Sequence, residues 1–351
     1  MITPHLILVG GFLGAGKTTL LLAAGSRLRA AGKHVGIILN DQGGELVDTR
    51  LAESAGFEAR EITGGCFCCR FSEFMRVAGS FTSSETPEFI LAEPVGSCTD
   101  LAATILQPIR RYYGDQYTLA PLTVLVDPAR AERLMGSNAD PLASYLFHKQ
   151  IEEADLVRFS KADLHVDFPR IPGIDARPLS AQTGQGVTEW LDQVLSWGGP
   201  LGANLLDIDY SRYAEAEASL GWLNRRGDLR LAQPLTPAAV IGPFVTQLDR
   251  LLTDAGIPIA HLKVLAQSAN GHVKASLCRN GERPAVAGTL DAPPEARCTI
   301  TINLRATGDP ALLSSLVDRA AHDLPGRFRI NHAEAFRPSP PVPEHRFQDA
   351  I

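Results

Sequence analysis

The run Gly10-Gly11-Phe12-Leu13-Gly14-Ala15-Gly16-Lys17-Thr18-Thr19 constrains this chain more than any other segment. Gly11 to Thr18 fits the phosphate-binding loop pattern G-x-x-x-x-G-K-[ST]. Its flanks suit the motif. His5–Val9 is a short apolar run that reads as a buried strand, and Leu20–Ala24 continues as a helix former. A strand, a glycine-rich turn and a helix in that order are what the motif requires. Glycines let backbone N–H groups turn inward toward phosphate oxygens, and a helix N-terminus adds partial positive charge. Gly11, Gly14, Ala15 and Gly16 would form the cradle, Lys17 would face the β- and γ-phosphates, and Thr18 would ligate magnesium. The competing reading is a glycine-rich turn ahead of an ordinary helix.

Composition narrows the classes. A length of 351 residues is enough for two or three domains. The net charge of −6 gives no basic footprint, so no nucleic-acid partner is expected. No apolar run is long enough to span a bilayer, and the N-terminus enters a strand at once without the pattern of a signal peptide. Three of the six cysteines fall within four residues, which is unlike a secreted disulfide framework. The expected setting is cytoplasmic, with no membrane partner.

Over the first two hundred residues, apolar runs alternate with helical stretches. Strands are expected at His5–Val9, His34–Leu39, Phe89–Ala92, Leu122–Val126 and Leu156–Phe159, and helices at Thr19–Ala31, Asp100–Tyr112, Ala129–Met135, Tyr145–Glu153 and Thr188–Ser196. This rhythm implies an α/β domain with a mostly parallel sheet over residues 1–200. Trp197–Gly202 reads as a linker. Residues 205–351 read as a smaller α+β domain, with helices at Pro243–Ala255 and Pro310–Asp323. Its strands are Leu262–Gln267, Val273–Cys278, Cys298–Leu304 and Arg327–Asn331, the first two joined by an Asn270-Gly271 hairpin signal. Tyr210–Asn224 stays unplaced, and the proline-rich stretch Pro338–Pro343 reads as extended.

Ser160-Lys161-Ala162-Asp163 follows the strand at Leu156–Phe159 and resembles the guanine-reading N-K-x-D element of GTPases, with Ser160 in place of Asn. A carboxylate such as Asp163 can accept from both N1–H and the 2-amino group of guanine. Adenine offers neither donor, and a carboxylate left unpaired is costly. The stem of Lys161 would lie over the base. Ser180-Ala181-Gln182-Thr183-Gly184 sits where GTPases place the S-A-x loop whose backbone N–H meets the guanine O6. The alternative is a helix cap at Ser160 with solvated charges. Without the Asn side chain, nucleotide affinity is expected to be modest.

Gly64-Gly65-Cys66-Phe67-Cys68-Cys69 lies between these loops. Three neighbouring thiols are a soft ligand set suited to zinc, cobalt or another thiophilic divalent metal. They leave one tetrahedral position for a carboxylate, a histidine, water or a partner's thiol. A redox-reactive or merely buried trio is the equal alternative, since C-x-C-C lacks the two C-x-x-C halves of a structural zinc site.

The ordered set G-F-L-G-A-G-K-T-T, G-G-C-F-C-C, E-P-V-G and S-K-A-D-L, with Gln150-Ile151-Glu152-Glu153-Ala154-Asp155 before the last, resembles the CobW-type family of P-loop GTPases over roughly residues 5 to 195. The resemblance implies a GTPase of a class acting in metal delivery or metalloenzyme maturation. It implies that Gly14, Gly16, Lys17, Thr18 and Thr19 hold phosphates and magnesium. It places Glu93 near the magnesium and Gly96 at the γ-phosphate, and it makes Cys66, Cys68 and Cys69 the metal motif. The chain departs from the family after its second strand. There the family usually reads N-E-F-G-E, whereas this chain has Asn40-Asp41-Gln42-Gly43-Gly44-Glu45, with the first acid shortened and the second one place late. That change bears on which metal is taken. The nine histidines are scattered, so a large zinc-buffering role is not expected.

The expectation is a GTP-hydrolysing metallochaperone for an unidentified client, a metalloprotein or a cobalamin-dependent enzyme. GTP and magnesium would order Asn40–Glu45 and Glu93–Gly96, with Lys17, Asp41 and Glu93 as the candidate catalytic residues. Asp41 is a candidate to position water, and no base is assigned. Two rivals remain: a GTP-dependent chaperone that remodels such an enzyme without carrying metal, and a metal sensor.

Overall fold

A computed structural model describes residues 3–81 and 86–350. The chain forms two units. One comprises the residues up to Gln42, Asp48–Ala216 and the tail from Pro340; the other comprises Gly43–Val47 and Glu217–Ser339. No helix among the described residues is long and apolar enough to cross a membrane.

The first unit is built on eight strands: β1 (His5–Gly11), β2 (Val35–Asn40), β3 (Glu58–Ile62), β4 (Phe89–Glu93), β5 (Thr118–Leu119), β6 (Thr123–Val126), β7 (Leu156–Phe159) and β8 (Arg177–Pro178). Their order is β3-β2-β4-β1-β6-β7-β8, with β5 also on β1, and every pairing is parallel. The helices are α1 (Lys17–Ala30), α2 (Val47–Ser54), α3 (Phe71–Ala78), α4 (Gln107–Tyr113), α5 (Pro128–Leu134), α6 (Pro141–Glu152), α7 (Val187–Leu195) and α8 (Tyr210–Ala218). Leu6, Ile7 and Leu8 are wholly buried, as are Ile90, Leu91 and Ala92. Continuous apolar runs of this kind mark central parallel strands covered on both faces.

The strand order reverses around β1, and in open α/β sheets ligands bind outside the carboxyl ends of the strands at such a point. The sequence motifs all fall there. The phosphate loop follows β1, Asn40 ends β2, the cysteine loop follows β3, Glu93 ends β4, Ser160 follows β7 and Ser180 follows β8.

Helix α6 fixes the loop that leaves β4. The Gln150 amide donates to the carbonyls of Gly96 (3.0 Å) and Cys98 (2.8 Å). The Glu153 carboxyl, just past the helix end, accepts from the Thr99 hydroxyl (2.9 Å) and the Ala102 N–H (3.0 Å). Asp155 accepts from the N–H of Leu122 (2.8 Å) and of Gly202 (3.0 Å). Gln150, Glu153 and Asp155 are therefore loop clamps.

The second unit is a six-stranded antiparallel sheet of β9 (Leu220–Leu235), β10 (Ile259–Ser268), β11 (Gly271–Leu277), β12 (Ala285–Gly288), β13 (Glu295–Thr307) and β14 (Gly326–Phe336), in the order β12-β11-β10-β13-β9-β14. Helices α9 (Pro237–Asp254) and α10 (Pro310–His322) join Leu248, Leu252, Leu313 and Val317 to a core with Val264, Val273, Ile302 and Leu304. The Asn270-Gly271 signal does mark the β10–β11 hairpin, closed by the pair Ser268 and Gly271. The unplaced stretch Tyr210–Asn224 is α8 followed by the start of β9. That strand buries Asn224 and Arg225 in a polar cluster. Asn224 accepts from Asn303 (3.0 Å) and Arg305 (2.7 Å) and donates to Glu334 (2.8 Å). Gly43–Val47 joins the same cluster. Gly44 N–H donates to Glu334 (2.7 Å), Val47 N–H donates to Asn303 (2.9 Å), and Glu45 pairs with Arg226 (3.4 Å).

Glu153 gives stability a pH dependence of definite sign. Burial pushes its carboxyl up to about 8, against an ordinary value of 4.5. The folded state therefore holds this proton more tightly than the unfolded chain. The stabilisation is complete below the unfolded value and is lost as pH rises through the folded one. Glu153→Gln keeps a neutral group, and its amide can serve Thr99 if that hydroxyl turns to accept. Wild-type denaturation midpoints should fall between pH 4.5 and about 8, and the variant should lose most of that slope. An unchanged slope would remove Glu153 as its source.

Candidate functional site

Backbone geometry shapes the phosphate loop. Gly11, Gly14 and Gly16 have φ of 130°, 77° and 92°, a region that L side chains avoid. A Cβ on Gly11 would also stand 2.5 Å from the Leu125 carbonyl oxygen of the neighbouring strand. Gly16 caps α1 without any side-chain bond to the first-turn N–H groups. Lys17 and Thr18 open the helix and are buried. The Lys17 Nζ donates to the Gly11 carbonyl (3.0 Å) and lies 3.7 Å from Glu93 Oε1, while the Thr18 hydroxyl donates to Glu93 Oε2 (2.7 Å). Gly96 comes close as well: a Cβ there would stand 3.0 Å from the Lys17 Nζ. The Thr18 and Glu93 oxygens are hard donors. Their separation is near the edge of about 2.9 Å that magnesium–oxygen distances of about 2.0–2.1 Å give an octahedron. The donor set fits magnesium.

The base-reading loops also meet. Lys161 adopts φ 56° and its ammonium lies 2.5 Å from the Asp127 carboxylate. Asp163 accepts from the Ser180 hydroxyl (2.5 Å), whose oxygen accepts from the Thr183 N–H (3.1 Å). Ala162 N–H donates to the Leu179 carbonyl (3.1 Å), joining the loop to the segment of Ser180 and Ala181. Ser160 caps no helix. Its hydroxyl is buried without a hydrogen-bond partner among the described residues. Asp127 was not singled out from the sequence. Burial opposes its charge, but the Lys161 ammonium outweighs that and holds its carboxyl below the usual range. It also caps α5 through the N–H of Ala129 (3.0 Å). The Asp127-Pro128 pair, a cap followed by proline at the first helical position, was the available signal.

Among the described residues, Cys66, Cys68 and Cys69 converge with their ligand atoms within 4.8 Å of one another. Cys66 Sγ lies 2.9 Å from that of Cys68 and 3.1 Å from that of Cys69, and the last two are 3.8 Å apart. All three are free thiols. Tetrahedral zinc with Zn–S of about 2.3 Å has sulfur–sulfur edges of about 3.8 Å. One edge already matches, and the other two need Cys66 to move outward by less than about 1 Å. Hydrogen bonds from Cys68, then Cys69 and Cys98, hold the Cys66 thiol well below the usual thiol range. Bonding to Cys66 raises Cys68, and pushes Cys69 up to about 12. Of the three, Cys66 therefore gives up its proton most readily.

The scaffold of this loop is local. Phe67 is fully buried and stacks on Phe74 of α3, with ring centroids 4.2 Å apart. Asn40 ties the loop to the end of β2: its amide donates to the carbonyls of Ile62 (2.9 Å) and Gly65 (2.8 Å) and accepts from the Phe67 N–H (2.8 Å). The C-terminal tail covers it. Val342 N–H donates to Cys69 Sγ (3.2 Å) and Glu344 N–H to the Cys68 carbonyl (2.9 Å). Arg346 pairs with Asp100 (2.7 Å). Neither Cys98 nor the tail was marked by any sequence motif. Asp41 follows Asn40 and is bonded through its N–H to the Ile62 carbonyl (3.2 Å), while Glu45 is bonded within the second unit.

Residues 5–170 match the CobW/HypB/UreG nucleotide-binding domain. The chain is 30% identical over 183 residues to the zinc chaperone CobW of a Sinorhizobium species, an alignment covering 44% of this chain and 50% of that protein. It is 24% identical over 222 residues to the zinc chaperone YeiR of Escherichia coli K12, covering 60% of this chain and 61% of that one. The aligned part thus spans about half to three fifths of the length of these relatives. The zinc-bound YjiA GTPase of E. coli matches with 13% identity over 92% of this chain and 99% of that chain, at a TM-score of 0.33, too loose a likeness to bear on function. Through its phosphate loop and the strands around it, the segment 5–170 is thus similar to the CobW/HypB/UreG nucleotide-binding domain.

Proposed function

We propose that this protein binds and hydrolyses GTP and uses the nucleotide cycle to hold and hand on a thiophilic divalent metal, zinc or cobalt, to a client protein. One observation carries the reading. The cysteine loop hangs from the end of β2 through Asn40, and β2 is registered beside β4, with Leu39 paired to Glu93. A soft-sulfur site and a hard-oxygen site therefore hang from neighbouring strands.

In this reading Lys17 balances the charge on the β- and γ-phosphates, and Gly96 lets the β4 loop approach the γ-phosphate. Thr18 and Glu93 hold magnesium, which supplies charge neutralisation when bound. Asp163 accepts from the guanine N1–H and 2-amino group, with Ser180 orienting its carboxylate. Lys161, Ala181 and Ser160 complete the base site. Asp41 would be the loop residue that orients water, and no general base is assigned. The two zinc-chaperone relatives support the choice of metal class. A protein that remodels its client without metal would leave the three converged thiols a structural or redox role only.

GTP should bind more tightly than ATP in a competition titration with magnesium present. Asp163→Asn should weaken GTP by about 10- to 100-fold, as expected for losing hydrogen bonds to a charged group, and should favour xanthosine triphosphate. Equal affinities for ATP and GTP in the wild type would remove the base-reading assignment.

The reduced protein should bind one cobalt(II) per chain with sulfur-to-metal charge-transfer absorption, and changing Cys66, Cys68 and Cys69 together to Ser should abolish it. The raised Cys68 and Cys69 thiols must lose protons to bind, so affinity should fall as pH is lowered. Full binding by the triple variant would overturn the assignment.

Metal titrations with GDP and with a non-hydrolysable GTP analogue test the coupling itself. Metal affinity should be higher in the GTP state by about 5- to 150-fold, the range of typical coupling energies. By linkage, metal should tighten the GTP analogue by the same factor. Identical dissociation constants would favour client remodelling without metal transfer, and tight binding that no acceptor protein can draw off would favour a sensor.

A further inference from the structure

The metal-delivery reading leaves one tetrahedral position beside the three thiols, and the surroundings of the trio decide what fills it. The side chains best placed to compete are already engaged. The Glu344 carboxylate accepts from the Ser72 N–H (3.0 Å) and hydroxyl (2.5 Å). The His345 ring packs edge-on against Phe71 at 5.1 Å and beside Tyr112 at 5.3 Å. Glu73 is paired with Arg70 and Arg76.

Cys98 is different. It forms no disulfide, is 2% exposed, and is among the hydrogen-bonding neighbours that lower the Cys66 thiol. It stands outside the trio whose ligand atoms all lie within 4.8 Å of one another, so a four-sulfur site needs its sulfur to close in. Its backbone is fixed on both sides, by its own N–H bond to the Val95 carbonyl (3.0 Å) and by the Gln150 amide on its carbonyl (2.8 Å). It stands on the loop that leaves β4, two residues beyond Gly96.

We propose that Cys98 is the fourth ligand, so that Cys66, Cys68, Cys69 and Cys98 enclose a thiophilic divalent cation in a four-sulfur site. The proposal rests on the metal-delivery reading and deepens it. Three ligands come from the loop after β3 and one from the loop after β4, so the cation bridges two loops of the nucleotide-binding unit. Four thiolates suit zinc and other soft cations and disfavour magnesium or calcium. The Val342 N–H on Cys69 Sγ is the kind of outer-shell donor that steadies a metal-bound thiolate. The closed site has a defined weak arm. A shift of the β4 loop when Gly96 loses the γ-phosphate would draw Cys98 away, leaving a three-sulfur site with an open position for an incoming client ligand.

X-ray absorption on the zinc-loaded, reduced full-length protein counts sulfurs directly. Wild type should show four sulfurs at about 2.3 Å, and Cys98→Ser should show three plus one lighter atom. In the cobalt(II) forms, Cys98→Ser should lose about one quarter of the near-ultraviolet charge-transfer intensity, in proportion to the thiolate bonds removed. Three sulfurs and one oxygen or nitrogen in the wild type would overturn the role of Cys98 and leave metal delivery standing. So would four sulfurs kept in the variant. A wild type that takes up no thiophilic metal would overturn both. The wild-type count needs no variant, so the test survives even if Cys98→Ser misfolds.

Discussion

Three hydrogen bonds on one buried amide hold the functional edge of the first unit together. Asn40 ends β2 and binds Ile62, Gly65 and Phe67, so the loop that carries the thiols is fixed to the sheet rather than left to its own glycines. Gly64 and Gly65 give that loop its sharp turns, with φ of 75° and 159°, but glycine alone makes a loop permissive and not defined. A single net hydrogen bond is worth about 0.5–1.5 kcal/mol, while stranding buried partners costs about 1–3 kcal/mol each. The larger penalty is what makes the amide hard to replace. Asn40 also sits next to the register pair Leu39 and Glu93, so whatever moves the end of β4 is felt one strand away.

The central strands were legible because burial on both faces leaves mostly apolar residues, and β7 runs over Leu156–Phe159 as expected although it also buries Arg158. The elements that escaped notice lack that signature. β3 reads Glu-Ala-Arg-Glu-Ile and is mostly half-buried, while β5 and β8 have two residues each. β9 escaped for a different reason. Its first half buries Asn224 and Arg225, and polar residues that find partners inside a fold look like surface from the sequence. Arg225 is held by Asp318 and by Ser314 (2.8 Å), both on α10, nearly a hundred residues away.

The candidate site was legible where one motif carries its own geometry and obscure where geometry comes from afar. The meeting of Lys17, Thr18 and Glu93 follows from a phosphate loop and an acid at the next strand end. Asp127 beside Lys161, Cys98 beside Cys66 and Val342 over Cys69 are separated by 34, 32 and 273 positions, and no local spacing rule reaches that far. The Gln150–Asp155 segment lies between these cases. Its wording marks it, but only the hydrogen bonds of Gln150 and Glu153 to the Gly96–Ala102 stretch show that it tethers the neighbouring loop.

The path of the chain between the two units limits how this protein can be divided. Gly43–Val47 belongs to the second unit although it lies between Gln42 and Asp48, and the tail from Pro340 returns to the first. No single cut separates them. A fragment ending before Glu217 would lose the Asn303 and Glu334 partners of Val47 and Gly44 and would strip the thiols of the N–H from Val342. Exchange of the second unit between relatives would have to carry two separate pieces of sequence together, and exchange of the first would have to carry three. Recombination should therefore find this architecture harder to shuffle than a plain tandem of domains.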